Sequence, residues 1–281
     1  MPLSREVRPR LRGHHRWVIR VLTLNIWNRW GDWPARREAL RAGLRELAPD
    51  VIALQETVVH DGADQVAELL DDRFHVLHSK NRDEGGQGVA IASRWPIGAT
   101  HELDLGVTER ARASGFVATT LLAEVEGPHR LLFVNHFPHY QPALEHDREL
   151  ETVAAVRAVE QVAEPDHHVI VAGDMDADPD AASIRFFAGR QSLQATSVCF
   201  VDAWAACHRG AASGGETFTE TNGAMNAEGW PFQRIDYVFV RCGADGMPTL
   251  RVAECHRVFD RPVNGVWPSD HFGVLAVLEP R

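Results

Sequence analysis

Short apolar runs rich in β-branched residues recur along the chain and predict buried strands. The first runs from Trp17 to Leu24 and stops at the polar Asn25. Similar runs predict strands at 51–54, 74–78, 89–93, 116–125, 131–134, 169–172, 235–240 and 274–278. Helical spacing of apolar residues predicts helices at 34–48, 63–70 and 144–163. Because several strands directly follow one another, we expect mixed rather than all-parallel sheets.

The chain has 281 residues, enough for one large domain with a sizeable core. We find no internal repeat and no linker that would divide it. Residues 1–15 are basic and predict a flexible tail, and residues 16–281 predict a single domain. Residues 208–230 are rich in Gly, Ala, Ser and Asn and predict a long surface loop.

The formal net charge is −10, from 29 basic and 39 acidic residues. This negative net charge argues against binding of a polyanion by electrostatic attraction alone. A bound cation would still make the charge positive at its own site. No window is apolar enough for a membrane span, and the N-terminus has no apolar signal core. The four cysteines form no CxxC pair, so we expect reduced thiols in a cytoplasmic protein, with a disulfide as the alternative if a leader has been removed.

Polar residues cluster where predicted strands begin or end. They are Asn25, Glu56, His136, Asp174 with Asp176, Asp236, and Asp270 with His271. Any one of them alone is typical of a turn or a helix cap. Six such positions that include glutamate and histidine favour instead a shared crevice, where strand ends present catalytic groups on a rigid scaffold.

The residue types in this set suit one chemistry. Carboxylate and amide oxygens are preferred by hard cations, which predicts Mg²⁺ or Mn²⁺, with Ca²⁺ as a third option. Two separate histidines can hydrogen-bond phosphate oxygens or transfer protons near neutral pH. Together these groups favour phosphoester hydrolysis by an activated water.

Seven ordered segments resemble the endonuclease/exonuclease/phosphatase (DNase I-like) superfamily. They are TLNIW at 23–27, ALQE at 53–56, GVAIASRWPI at 88–97, FVNH at 133–136, AGDMDADP at 172–179, RIDYVFV at 234–240 and SDHFGV at 269–274. Each segment alone is weak evidence for the resemblance, whereas the seven segments in this order are specific for the superfamily. The resemblance implies a mixed α/β (α+β) fold, a four-layer sandwich of two packed mixed β-sheets flanked by helices.

The resemblance also implies roles for individual residues. Glu56 resembles the principal metal ligand, assisted by Asn25 and Asp270. Asp174 resembles the carboxylate that positions or deprotonates the attacking water. His271 resembles the imidazole that faces the scissile phosphate, with Asp236 holding its tautomer.

Two further phosphate contacts follow from the same resemblance. His136 resembles the second imidazole that faces the phosphate. Arg112 resembles the phosphate-binding arginine, and Arg110 is its rival two residues away. A zinc site built from His136 and His139 is a further alternative.

Asp176 departs from the family pattern, which usually has asparagine two residues after the aspartate of the GD motif. Asparagine donates a hydrogen bond to phosphate, which an ionised aspartate cannot do. Asp176 must therefore be protonated, bind a second cation, or be turned away. Our hypothesis is a second metal ion, or a water-mediated metal contact, near Asp176.

The sequence predicts a divalent-metal-dependent phosphoesterase that hydrolyses phosphodiester or phosphomonoester bonds. Lys80 is the only lysine, which weakens the case for duplex DNA as substrate. We therefore expect a phosphorylated small molecule or lipid-derived phosphate as substrate. The alternatives are a DNA nuclease or apurinic-site endonuclease, with nucleic acid as partner, and a non-catalytic binding protein on the same fold. For the tryptophans near the motifs, Trp30 and Trp230 among them, we favour core packing over stacking on a base or sugar.

Overall fold

The computed structural model describes residues 17–209, 214–225, 227 and 229–281. The predicted tail at 1–15 lies outside these residues. The helices are α1 (Trp33–Leu47), α2 (Gln65–Leu69), α3 (Glu109–Ala113), α4 (Glu145–Val162), α5 (Ala182–Phe187) and α6 (Ala203–Cys207). The strands are β1 (Ile19–Asn25), β2 (Val51–His60), β3 (Ala63–Asp64), β4 (His75–His78), β5 (Gln87–Ser93), β6 (Ile97–Asp104), β7 (Thr119–Glu126), β8 (Arg130–Phe137), β9 (His168–Asp174), β10 (Phe200–Asp202), β11 (Asp236–Arg241), β12 (Leu250–Val258) and β13 (Gly273–Pro280).

The strands form two mixed sheets. The seven-stranded sheet has the order β12-β13-β1-β2-β5-β4, with β3 paired to β2, and the six-stranded sheet has the order β10-β11-β9-β8-β7-β6. The pairs β1–β2 and β8–β9 are parallel, and each lies next to antiparallel neighbours. The expectation of mixed sheets is therefore confirmed.

The two sheets pack face to face around a shared apolar core that includes Val21, Val51, Phe133 and Val238. On the outer face of the seven-stranded sheet, α1 buries Leu40 and Leu44 in a second cluster. On the outer face of the six-stranded sheet, a third cluster contains residues of both α4 and α5. The predicted four-layer sandwich is confirmed, and no helix in the described ranges is long and apolar enough to cross a membrane.

Of the strands that the sequence pattern missed, the two longest, β6 and β12, lie at sheet edges. β6 leaves most of its side chains exposed or half-buried, and β12 alternates between core and solvent with several charged residues. Edge strands carry such polar residues because only one side of each is paired, which weakens the apolar signal. The predicted loop at 208–230 has no helix or strand within its described part.

A buried amide network joins the two sheets just below the strand ends. Gln55 donates from Nε2 to Oδ1 of Asn135 at 2.7 Å. Asn135 in turn donates from Nδ2 to the carbonyl oxygens of Leu54 and Ala90, at 3.0 and 2.9 Å. Since both amides are fully buried, this satisfied network favours one relative position of the two sheets.

Candidate active site

The predicted strand-end residues, with the exception of His136, meet at one end of the sandwich. Asn25 ends β1, Asp174 ends β9, and Asp236 begins β11 directly opposite Asp174 in the antiparallel register. A cleft of about 360 Å³ opens there. The residues that line it are Trp30, Glu56, Gln87, Phe116, Phe137, Tyr140, Asp174, Asp176, Phe218, Ala227, Trp230, Ile235, Asp270 and His271.

Glu56 owes its position to an irregularity in β2. The register between β2 and β5 shifts between Leu54 and Thr57, and Glu56 has a φ of 54°. A bulge of this kind re-aims a side chain, and here it turns Glu56 into the cleft. Burial raises the pKa of Glu56, although the hydrogen bond from Asn25 opposes the shift.

Asn25 connects the carboxylates of the two sheets. Its Oδ1 accepts the backbone N–H of Trp27 at 2.9 Å, which determines the orientation of the amide. Its Nδ2 therefore donates to Oε1 of Glu56 and to Oδ2 of Asp174, both at 3.0 Å. In this orientation the amide presents N–H donors to the site, and the role of Asn25 as an oxygen ligand of the metal stays a prediction.

Asp270 lies across the cleft in the loop before β13, next to the buried Ser269. The Ser269 hydroxyl donates to the carbonyl oxygen of Asn25 at 2.7 Å and so ties this loop to β1. Burial raises the pKa of Asp270 to about 7, and the nearby Glu56 charge adds to the shift.

His271 forms a hydrogen-bonded pair with Asp236. The distance from Nδ1 to Oδ2 of Asp236 is 3.0 Å, and Nδ1 is 3.8 Å from Oδ2 of Asp174. Burial disfavours the protonated ring, but the charges of Asp174 and Asp236 outweigh it and raise the pKa of His271 well above its usual value. Because Nδ1 is hydrogen-bonded to Asp236, Nε2 is the ring nitrogen that can contact a substrate.

Asp176 lies inside the cleft rather than turned away from it. It adopts a left-handed backbone conformation, with a φ of 49°, and its N–H points to Oδ1 of Asp174 at 3.3 Å. Burial raises the pKa of Asp176 to about 7, against the opposing charges of His271 and Arg148. Two of the three sequence-based alternatives therefore remain, protonation and a second cation.

Two buried arginines supply positive charge from behind the cleft. Arg36 donates to the backbone carbonyl oxygens of Ile26 and Trp27. Arg148 donates to the backbone carbonyl oxygens of His139 and Gln141. Burial lowers the pKa of Arg36 to about 10, although the carboxylates of Asp270 and Glu56 oppose this. Both guanidinium groups are engaged by backbone carbonyls and do not line the cleft.

The structure corrects the prediction for His136. β8 continues through Phe137, so period-two alternation turns His136 to the outer face and Phe137 to the cleft. His136 is fully buried, with Nδ1 2.8 Å from the Thr120 hydroxyl and its ring against Phe187. Burial lowers the pKa of His136 to about 3.

The predictions for a zinc pair and for Arg112 are also corrected. Nδ1 of His139 lies 2.5 Å from Oε1 of the buried Glu151, and the group that could hold a metal among the described residues is Asp174, Asp236 and His271, which includes neither His136 nor His139. Arg112 is exposed on α3, with its stem next to Gly106, and Arg110 donates to the carbonyl oxygen of Ala143. Neither arginine lines the cleft.

The remaining donor set fits a hard cation. Oδ2 of Asp176 and Oδ1 of Asp236 are buried and have no hydrogen-bond partner among the described residues. The side-chain ligand atoms of Asp174, Asp236 and His271 lie within 4.8 Å of one another, a group that could hold a metal ion. Such a concentration of buried carboxylates is stabilised by protonation or by compensating positive charge, and a bound divalent ion would supply that charge.

On the aromatic side of the cleft, sequence reasoning gave stacking only as the alternative for Trp30 and Trp230, and it missed Phe116 and Tyr140. Phe116, Tyr140 and Phe218 come from three separate loops and line the cleft with Trp230. Trp30 also lines it and is 62% exposed, so neither tryptophan has the core position that we favoured. The only available signal was their location in polar segments, where a large aromatic residue has no core to join.

The chain belongs to the endonuclease/exonuclease/phosphatase family, whose model matches residues 22–271. No curated protein matches the sequence significantly. Among solved structures, TDP2 from C. elegans shares 16% identity at a TM-score of 0.72, covering 94% of this chain and 75% of that chain.

Two other solved structures are similar at comparable levels. D. rerio TDP2, complexed with a single-strand DNA product, shares 17% identity at a TM-score of 0.71 and covers 93% of this chain and 98% of that chain. An endonuclease/exonuclease/phosphatase from Bacteroides vulgatus shares 18% identity at a TM-score of 0.69, covering 94% and 100%. At these identities the likeness shows the fold.

Proposed function

We propose that this protein is a divalent-metal-dependent phosphoesterase that hydrolyses phosphodiester or phosphomonoester bonds by attack of an activated water at phosphorus. The observation that carries the proposal is the meeting of the His271–Asp236 pair with Glu56, Asp174 and Asp270 in one cleft. Membership of the family supports the same reaction class.

Glu56 and Asp270 are the proposed ligands of the cation, which is Mg²⁺ or Mn²⁺, with Ca²⁺ as a third option. When bound, the ion would polarise a phosphoryl oxygen and offset the surrounding carboxylate charge. A second ion near Asp176 remains our hypothesis, because its Oδ2 is buried without a partner in the described part of the chain.

The proton transfers are assigned to this chain's own groups. Asp174 accepts a proton from the attacking water, whose oxygen forms the new bond to phosphorus. As the ester P–O bond breaks, His271 donates a proton from Nε2 to the leaving oxygen. Asp236 keeps the other ring nitrogen, Nδ1, protonated and stabilises the positive ring.

Turnover of a chromogenic phosphodiester tests this proposal. We expect the metal-stripped protein to hydrolyse bis(p-nitrophenyl) phosphate only after Mg²⁺ or Mn²⁺ is added, and EDTA to abolish the reaction. Glu56→Ala and His271→Ala should each lower the rate at least about 100-fold. Glu254→Ala and His256→Ala, on the exposed side of β12, are matched controls that should keep the wild-type rate.

Two results would contradict the assignment. Near-normal turnover in Glu56→Ala or His271→Ala would mean that the roles are misassigned. A folded wild-type protein without turnover on any phosphoester would favour the rival class, a non-catalytic binding protein on the same fold.

A DNA nuclease or apurinic-site endonuclease is the second candidate. The observation that favours it is the fold neighbour complexed with a single-strand DNA product. Incubation with plasmid, with an abasic-site duplex and with single strands, each with and without EDTA, tests it. Metal-dependent cleavage of these polymers at rates above those for small phosphodiesters would favour the nuclease.

A further inference from the structure

The aromatic side chains of the cleft form a continuous wall that starts at the catalytic imidazole. The Phe218 ring lies 4.7 Å from the ring of His271, and the Trp230 ring meets Phe218 edge-on at 6.4 Å. Tyr140 stacks on Trp230 at 6.3 Å, and Phe116 meets Tyr140 edge-on at 5.1 Å. A group attached to a phosphate beside His271 would therefore lie on aromatic faces.

The wall is open to solvent rather than packed into a core. Tyr140 is 42% exposed, and Trp230 and Phe116 are half-buried while lining the cleft. Trp30, in the loop after β1, adds a further ring at the cleft and is 62% exposed. Single exposed aromatic residues are ordinary, but several around one cleft indicate a surface that a ligand covers.

Apart from the imidazole of His271, the charged side chains that line the cleft are acidic. Its lining residues include four carboxylates and, within the described parts of the chain, no lysine or arginine. Arg36 and Arg148 are buried and donate to backbone carbonyls, so neither offers a contact to a second phosphate. Polynucleotide binding draws on a row of basic contacts along the backbone, which this lining does not provide.

From these observations, and resting on the proposed function, the geometry points to a substrate class. The cleft takes a compact phosphoester that carries one planar ring next to a single phosphate, and it disfavours polynucleotides. The volume of about 360 Å³ fits such a molecule. Offset or edge-on contacts with Trp230 and Phe218 select a flat ring over a saturated ring of the same size.

Calorimetric binding to the full chain in Mg²⁺ tests this without requiring turnover. The probes are benzylphosphonate and cyclohexylmethylphosphonate, which match in charge and size and differ in the flatness of the ring. We expect benzylphosphonate to bind about tenfold more tightly. Trp230→Leu should reduce the preference to about twofold, and Trp230→Phe should retain most of it, which separates loss of the ring from a general defect.

Trp204→Leu is the control for loss of a tryptophan, since Trp204 stacks on His208 outside this cleft and the preference should persist. Equal affinities of the two phosphonates for the wild type, or no binding of either, would overturn the inference. A trinucleotide and a 12-residue single strand should bind with similar affinity, and a gain with length would overturn the exclusion of polymers. A ring preference without phosphoester turnover would support the ring site and contradict the proposed function.

Discussion

The buried His136 makes the stability of the protein depend on pH in a predictable way. Burial lowers the pKa of this imidazole from 6.5 to about 3 in the folded state. Between these values the unfolded chain binds a proton that the folded chain does not. The stability is therefore fully present above pH 6.5 and is lost progressively as the pH falls towards 3.

The magnitude follows from the size of the shift. Each pH unit below 6.5 costs about 1.4 kcal/mol, so the loss at pH 5 is about 2 kcal/mol relative to pH 8. Substitution His136→Phe removes the titrating group and keeps a flat ring beside Phe187. The substitution also changes the packing and removes the hydrogen-bond partner of Thr120, but these two costs do not depend on pH. They cancel when the free energy of unfolding of each protein at pH 5 is compared with that of the same protein at pH 8.

Urea unfolding at pH 8 and pH 5 measures the effect. We expect the free energy of unfolding of the wild type to fall by about 2 kcal/mol more than that of His136→Phe. His101→Ala, which removes an exposed histidine on β6, is the control and should keep the wild-type dependence. The same pH dependence in wild type and His136→Phe would refute the reasoning.

Three further substitutions, one of them with a matched control, test the site and its support. Asp236→Asn should lower kcat at least about 100-fold, because the neutral amide no longer holds the imidazole tautomer; full activity would show that the pairing is wrong. Gly173→Ala should lower the free energy of unfolding by more than about 3 kcal/mol, because its Cβ would lie 1.9 Å from the backbone oxygen of His136. Gly62→Ala, where a Cβ meets open space, is the control and should cost about 1 kcal/mol in an unfolding titration. Asp176→Asn should change the Mn²⁺ dependence of the rate; an unchanged rate and an unchanged metal titration would remove the second-cation hypothesis.

The sequence pattern predicted the cleft from the places where buried strands end. β1 and β9 are almost completely buried on both faces, so the polar residues Asn25 and Asp174 that end them stand out in the sequence. This located Asn25 and Asp174, and the structure brings both together with Glu56. The position of a side chain at a strand end can be predicted because the rigid strand leaves that side chain little conformational freedom.

His136 shows where the same argument fails. β8 is buried on both faces, so no alternation of polar and apolar residues shows which way each side chain points. The strand was predicted to end at Val134, but it runs to Phe137. The signal that marks its true end is Pro138, which cannot donate to the sheet ladder.

The aromatic wall could not be predicted for another reason. Tyr140, Phe218 and Trp230 are brought together by loop conformations, which follow no hydrophobic period. Arg112 is an error of the same kind, because its position depends on the loop around the short helix α3. Side chains on loops become neighbours only through tertiary packing.

The most direct test of the account is the anomalous difference map of a crystal grown with Mn²⁺. We predict a peak in the cleft with oxygen atoms of both Glu56 and Asp270 about 2.0–2.4 Å away, the range of hard-cation ligands. A well-ordered cleft without a peak at these two carboxylates, or a peak elsewhere in the molecule only, would contradict the account.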